Sequence, residues 1–421
     1  MPVSRLKVES LPHAIFLQRV SGPQTATTLE ARLGQGAFLA LRLVDLLGAN
    51  RAPASTDAFH YQWVATDRFC RELRAAATEG AHVHGIASSA ADAHRLGEVR
   101  LIAPALFAYA HFLEDELRLE EAIDVLTTLL VVVGTHVSPC DVIAAHLRFA
   151  RVHRKLNRFD QADAAYAEAG ELATAAGDRY SALLSRIGRA NTLLGRGNLQ
   201  EAERQLQGIL ADARAAGEQD AEARAEHDLA VVHGRMGMVG EAIPHAWRAF
   251  NLYEEDDSRM RVLTDLGIMF LGVGDAVGAE RALSEVARRG CSQDGMSNAL
   301  IELMHCASYR RDHVGFARWR ERCEERVTDM PPNILADFYL KQGIGQARFG
   351  RLRRAEALLR QALQLATAAG LHELEFRIER IAGGLRDCEQ AIAQESQLTI
   401  APMLETAELR EVSESLAQLA K

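Results

Sequence analysis

The sequence predicts an all-α protein assembled from helix-turn-helix repeats, and three observations carry that expectation. Alanines recur at Ala122, Ala162, Ala202, Ala242, Ala279, Ala317 and Ala355, with successive spacings of 40, 40, 40, 37, 38 and 38 residues. Twelve positions before each stand Ala110, Ala150, Ala190, Ala230, Gly267, His305 and Gly343, small in every case but one. Five positions before most of the alanines comes a turn residue: Asn157, Gly197, Gly237, Gly274, Asp312 or Gly350. Small side chains at the first two places let antiparallel helices approach closely, and the turn residue separates a helix A from a helix B.

Ahead of the repeats, residues 1–56 read as an arm followed by a helix. Ala14 to Val20 is a short apolar stretch that fits a lone strand or an irregular arm, and residues 24–48 carry Leu29, Leu33, Phe38, Leu41, Val44 and Leu47 near helical spacing. A break follows at "GANRAPASTD". Asp57 is the expected N-cap of a helix reaching about Ala77, and another helix is expected from Ile86 to Leu96. Residues 57–100 are therefore a degenerate repeat that caps the array or a small helical effector domain. Residues 101–371 hold seven repeats, and residues 372–421 form a C-terminal helical cap closed by the amphipathic "APMLETAELREVSESLAQLAK". Because each repeat of such an array contacts only its neighbours, one continuous helical body is expected.

The stretches "LRFARVHRKLNRFDQADAAYAEA", "IGRANTLLGRGNLQEAERQL", "LAVVHGRMGMVGEAIPHAWRAF", "LGIMFLGVGDAVGAERAL" and "GIGQARFGRLRRAEALLRQAL" resemble tetratricopeptide repeats, here over roughly two thirds of the chain. The usual period of that family is about 34 residues. The longer repeats of this chain, with endings such as Ala176-Gly177-Asp178, are similar to those of bacterial signalling regulators and kinesin light chains. The resemblance implies a right-handed α-solenoid in a bacterial protein, with helix A of each repeat lining a concave groove. The sixth repeat fits least well, having His305 at the small position and Glu321 and Glu324 where apolar residues belong.

Counting each repeat alanine as the twentieth residue, the family's groove positions fall on Leu147, Arg151, Arg154, Asn191, Leu194, Arg224, His227, Arg235, Arg261 and Thr264. The first repeat adds His111 and Glu114, and the sixth and seventh add Glu302, Asp337 and Arg348. Five arginines around Asn191 and His227 make a basic lining suited to an acidic peptide or a free C-terminal carboxylate. Pairing with acidic neighbours on adjacent helices is the competing explanation. The likeness to the carboxylate clamp of chaperone-binding relatives is partial: Asn191 holds a clamp-like place without the matching lysine and arginine set.

Hydrophobic residues at 48% with only 6% aromatic suit packed helices. A net charge of -9 opposes general nucleic-acid binding. The six cysteines form no C-x-x-C pair, which argues against a disulfide framework or zinc ribbon. No secretory signal or membrane-length apolar run is visible, so a cytoplasmic location is expected. Phosphate-loop, dinucleotide, nucleophile-elbow and zinc-protease motifs are missing, which points to a non-catalytic chain without cofactor or metal. His82 and His84 read as a solvated loop, the pair His146 and His153 as packing or groove-lining, and Glu254 to Asp257 as the solvated end of a B helix. Two functions remain open. One is an adaptor or regulator that holds a partner's peptide segment in its groove; the other is a peptide-responsive sensor similar to the quorum-sensing regulators.

Overall fold

The periodic apolar positions do fold as helices. The structure, a computed structural model, describes residues 11–20, 28–48, 56–133, 137–290, 293–392, 411, 412, 414–416 and 418, and no strand occurs among them. The break at 48–57, the tip of the arm and Cys291 lie wholly or largely outside the described residues.

The chain divides into two units, residues 1–198 and 199–421. The first holds α1 (Ala14–Leu17), α2 (Leu29–Asp45), α3 (Thr56–Arg74), α4 (Thr78–Leu96), α5 (Ala103–Asp115), α6 (Leu119–Thr128), α7 (Pro139–Lys155), α8 (Phe159–Ala176) and α9 (Arg179–Gly195). The second holds α10 (Leu199–Ala216), α11 (Gln219–Arg235), α12 (Val239–Leu252), α13 (Asp256–Gly272), α14 (Ala276–Arg289), α15 (Gln293–Tyr309), α16 (His313–Glu324), α17 (Pro332–Arg348), α18 (Leu352–Ala368) and α19 (His372–Ile392). Within each unit, α5, α7, α11, α13, α15 and α17 are A helices packed on the B helix that follows.

The recurring alanines meet at these crossings. Ala110, Ala150, Ala230, Ala122, Ala162, Ala242, Ala279 and Ala355 are all fully buried. At Gly267 a Cβ would lie 2.6 Å from Leu283, so this crossing admits only glycine without rearrangement. The A-to-B turns need a left-handed residue, supplied at Gly197, Gly237, Gly274 and Gly350 with φ of 80°, 82°, 85° and 75°, and by Asn157 at 57°. In the sixth repeat the left-handed residue is Arg311 rather than Asp312. Asp312 instead caps α16 by accepting from the N–H groups of Val314 and Gly315. That repeat is also irregular in length, since α16 stops after 12 residues.

Three local expectations are corrected. His82 and His84 lie inside α4 rather than in a loop. That helix begins at Thr78, because Gly80, which looks like a breaker in sequence, fits a close crossing where a Cβ would stand 2.1 Å from the Leu73 carbonyl oxygen. The acidic run at Glu254 to Asp257 does not end α12. Glu255 precedes α13 and Asp256 and Asp257 form its first turn, where negative charge is favoured by the helix dipole. Ala14 to Val20 is neither strand nor irregular but a helical turn, α1, continued by a 3₁₀ turn over Gln18–Val20.

This arm is seated firmly. Phe16 is fully buried and stacks on Tyr109 at 6.1 Å, and the absence of a side chain at Gly34 lets its backbone lie against α2. His13, 5% exposed, bridges Asp124 (2.5 Å) and Asp45 (3.4 Å), while Arg42 also reaches Asp45 at 2.6 Å. Burial alone would lower the His13 pKa, but the two carboxylates outweigh it and raise it to about 9. A raised histidine pKa stabilises fully below the unfolded value near ~6.5 and is lost as pH climbs through about 9. The stability gap between the protein and His13→Asn is therefore expected to shrink by about 3 kcal/mol between about pH 6.5 and 9. Urea melts across that range would show it, and a pH-independent gap would contradict the bridge.

Candidate functional site

On α7, α11 and α13 an outward stripe follows the spacing i, i+4, i+7, i+11, which keeps four side chains on one face. On α7 it runs through Ala144, Arg148, Arg151 and Lys155; on α11 through Arg224, Asp228, Val231 and Arg235; on α13 through Arg261, Asp265, Ile268 and Gly272. Four of the sequence-predicted groove residues sit elsewhere. Leu147 packs against Ala150, Ala162, Ala165 and Tyr166, and Leu194 is buried. His227 turns inward, and Thr264 is buried with its hydroxyl donating to the Met260 carbonyl at 3.0 Å. The count from the alanine selects the fifth residue of the repeat, whereas on α11 and α13 the sixth, Asp228 and Asp265, is the more exposed.

In the first unit the stripe of α7 meets α5 at one carboxylate. Glu114 is 1% exposed and binds Arg148 at 2.6 Å, Arg151 Nε at 2.7 Å and Lys155 at 2.7 Å. Burial would raise its pKa, but Arg151, Lys155 and Arg148 together hold the carboxyl below its ordinary range. It is therefore a fixed negative charge that orders three cations and cancels one of them. His111 touches Arg148 at 2.5 Å, and Arg154, half-buried on the same helix, has an Nε with no hydrogen-bond partner among the described residues. Asn191 is half-buried on α9. Sequence reasoning found Arg151 and Glu114 but missed Arg148, although its spacing of three and seven from Arg151 and Lys155 was readable.

In the second unit three of the sequence-predicted residues face carboxylates. Arg224 binds Asp220 at 2.5 Å, His227 Nε2 lies 2.8 Å from Asp265, and Arg235 reaches Glu373 at 3.6 Å. The His227 ring meets the edge of Tyr253, whose phenol is pushed up by burial and by Asp228 and Asp220. Arg261 is exposed. Acidic Asp220, Asp228 and Asp265 thus share this face with Arg224 and Arg261, whereas in the first unit three cations share Glu114.

Other charged clusters serve packing between helices. Glu226, with no exposed surface, is held by Arg214 at 2.6 Å, Arg248 at 3.1 Å and His245 at 2.5 Å. His146, half-buried, reaches Glu168 at 3.5 Å, and His153 is buried against Phe149. Among the described residues no group of three His, Cys, Asp or Glu side chains could hold a metal ion, and no helix is long and apolar enough to cross a membrane. Burial pushes the thiols of Cys70, Cys306 and Cys323 up to about 12, which leaves them weak nucleophiles.

No family model matches the chain, and no curated protein matches it. Solved structures do. The apo form of the quorum sensor NprR from B. thuringiensis is 11% identical, covering 93% of this chain and 99% of its own, with a TM-score of 0.53. The Rap conjugation gene regulator of plasmid pLS20 in complex with the Phr* peptide is 12% identical, with coverage of 79% and 97% and a TM-score of 0.48. A tetratricopeptide repeat protein from Parabacteroides merdae is 13% identical, with coverage of 66% and 98% and a TM-score of 0.40. At such identities the likeness concerns the fold. The paired helices, their small crossing residues and their left-handed turns give this chain the tetratricopeptide-repeat fold.

Proposed function

We propose that the chain is a non-catalytic adaptor or regulator whose α5–α7 face binds an acidic peptide segment, or one ending in a free carboxylate, of a partner protein. The observation that carries this reading is the unequal cluster at Glu114, where three cations share one carboxylate. Arg151 keeps nearly half of its side-chain surface in water and spends only its Nε on Glu114, so its two terminal nitrogens remain to grip a carboxylate bidentately. Glu114 pins the guanidinium beforehand, which removes ordering cost from binding. Arg154, whose Nε has no hydrogen-bond partner among the described residues, supplies a further donor on the same helix.

A fluorescein-labelled (Glu-Ala)₅ peptide, with its C terminus free or amidated, is the probe. Anisotropy should report salt-sensitive binding, weakened about tenfold or more in Arg151→Ala because a hydrogen bond to a charged group is worth about 1.5–3 kcal/mol. Equal binding by Arg151→Ala and Arg151→Glu would remove this face from consideration. A second reading, a peptide-responsive regulator, is supported by the arm, whose seat on α2, α4 and α6 gives the first unit an N-terminal segment that could answer to ligand. Small-angle scattering in the same titration separates the two, since a sensor contracts on binding and an adaptor holds its shape.

A further inference from the structure

The end of the chain does something the repeat pattern alone would not require. Residues 411, 412, 414–416 and 418 are helical, with Glu411, Glu414 and Gln418 exposed. Val412 and Leu416 are 3% and 2% exposed. Spaced four apart, they share one helix face and act as paired anchors. Their burial is not at the end of the array. The core around α17, α18 and α19 is a separate cluster built on Ala336, Leu340, Leu359, Ala362, Ala366 and Ile378. Val412 and Leu416 belong instead to the core formed by α11–α15, with residues such as Ala223, Met260, Leu263, Phe270 and Ala299. The two anchors therefore pack on helices that precede α19 by more than three elements in the chain.

We propose that the segment bearing Val412 and Leu416 is an intramolecular ligand of the second unit: helical residues, tethered to the array, whose two apolar anchors occupy a docking surface on α11–α15. A competing partner segment would be helical, with two aliphatic residues four apart and carboxylates on its outer face. Three features support this. The docking uses the helix-on-groove mode, in which i and i+4 apolar anchors enter a hydrophobic surface. Among the described residues the segment is held by two anchors, Val412 and Leu416, a small contact that opens at lower cost than the helices beneath it. Removing it would uncover apolar side chains from several helices at once, the kind of contiguous patch that marks an interaction site. The tether fixes a high local concentration, so a partner must supply either better contacts or comparable abundance. This surface lies in the second unit and stands independently of the Glu114 site.

The probe is a fluorescein-labelled peptide of residues 406–421, offered to the full chain and to its Val412→Asp, Leu416→Asp double variant. The variant should bind the peptide at least about tenfold more tightly than the unmodified chain, whose own segment competes. A peptide carrying both substitutions should bind neither protein. Equal affinities for the two proteins, or a variant with an unchanged thermal melt that fails to bind, would overturn the proposal. Hydrogen exchange on the unmodified chain gives a second readout that does not depend on the variant's folding. Amides in 411–418 should be protected, and should lose protection when excess unlabelled peptide is added while those of α17 and α18 do not. Unprotected amides there, or protection that appears only with concentration-dependent dimers, would equally refute an intramolecular ligand.

Discussion

Arg19→Ala is expected to lower the unfolding free energy of the first unit by about 3–5 kcal/mol, the cost typical of leaving a buried charge without its partner. Arg19 is mostly buried and bridges two carboxylates from distant helices. Its Nε and one terminal nitrogen reach Glu121 at 2.9 and 2.5 Å, and its terminal nitrogens reach Glu79 at 3.2 Å. Arg118 binds Glu79 at 2.7 Å and also Glu121, and the Tyr109 hydroxyl donates to Glu79 at 2.8 Å. Burial raises both carboxyl pKa values even with Arg19 present, so the arginine is compensating a real desolvation cost. Without it, Arg118 alone faces two carboxylates. The deficit should shrink at lower pH, because carboxyl groups whose folded pKa is raised contribute stability below their unfolded value and lose it as pH rises. Urea melts at about pH 7 and about pH 5 check both statements. A loss below about 1 kcal/mol would mean that the arm is not part of the folded core.

How much of this was legible differs by length scale. The period, the fully buried Ala150 and Ala162, and the turns at Gly197 and Gly237 express local geometry, and each is visible because one residue type satisfies a steric demand. Gly80 shows the converse: a helix-breaking residue by propensity, it sits inside α4 because a neighbouring backbone demands the space. The exposed stripe of the A helices was legible only as a spacing, since counting from an alanine does not fix side-chain direction; Leu147 and Thr264 therefore turned inward while Arg148 was overlooked. Partners could not be read at all. Glu114 lies 34 residues from Arg148, and His13 lies 111 from Asp124, and no local pattern announces either pair. The amphipathic character of the C-terminal segment was plain, but its seat on α11–α15 depends on the return of the chain.

Lys341→Met is expected to cost the second unit about 3–5 kcal/mol, because, as at Arg19, it removes a buried cation from between two carboxylates. Here the ammonium is the buried centre, 7% exposed, between Glu302 and Asp337, with the latter at 2.6 Å. Burial would lower the lysine pKa, but Asp337 and Glu302 raise it, so the charge is retained inside. Burial raises the Glu302 pKa, against which Lys341 is the leading opposing influence. Methionine fills the space of the lysine stem but leaves Glu302 and Asp337 facing each other, so one of them must take up a proton. Adding Glu302→Gln should recover much of the loss, because the second substitution removes the charge that the first stranded. If the double variant were instead as unstable as the sum of the singles, the three side chains would not act as one ionic unit. The choice of lysine here would then rest on its packing against α15 rather than on its charge.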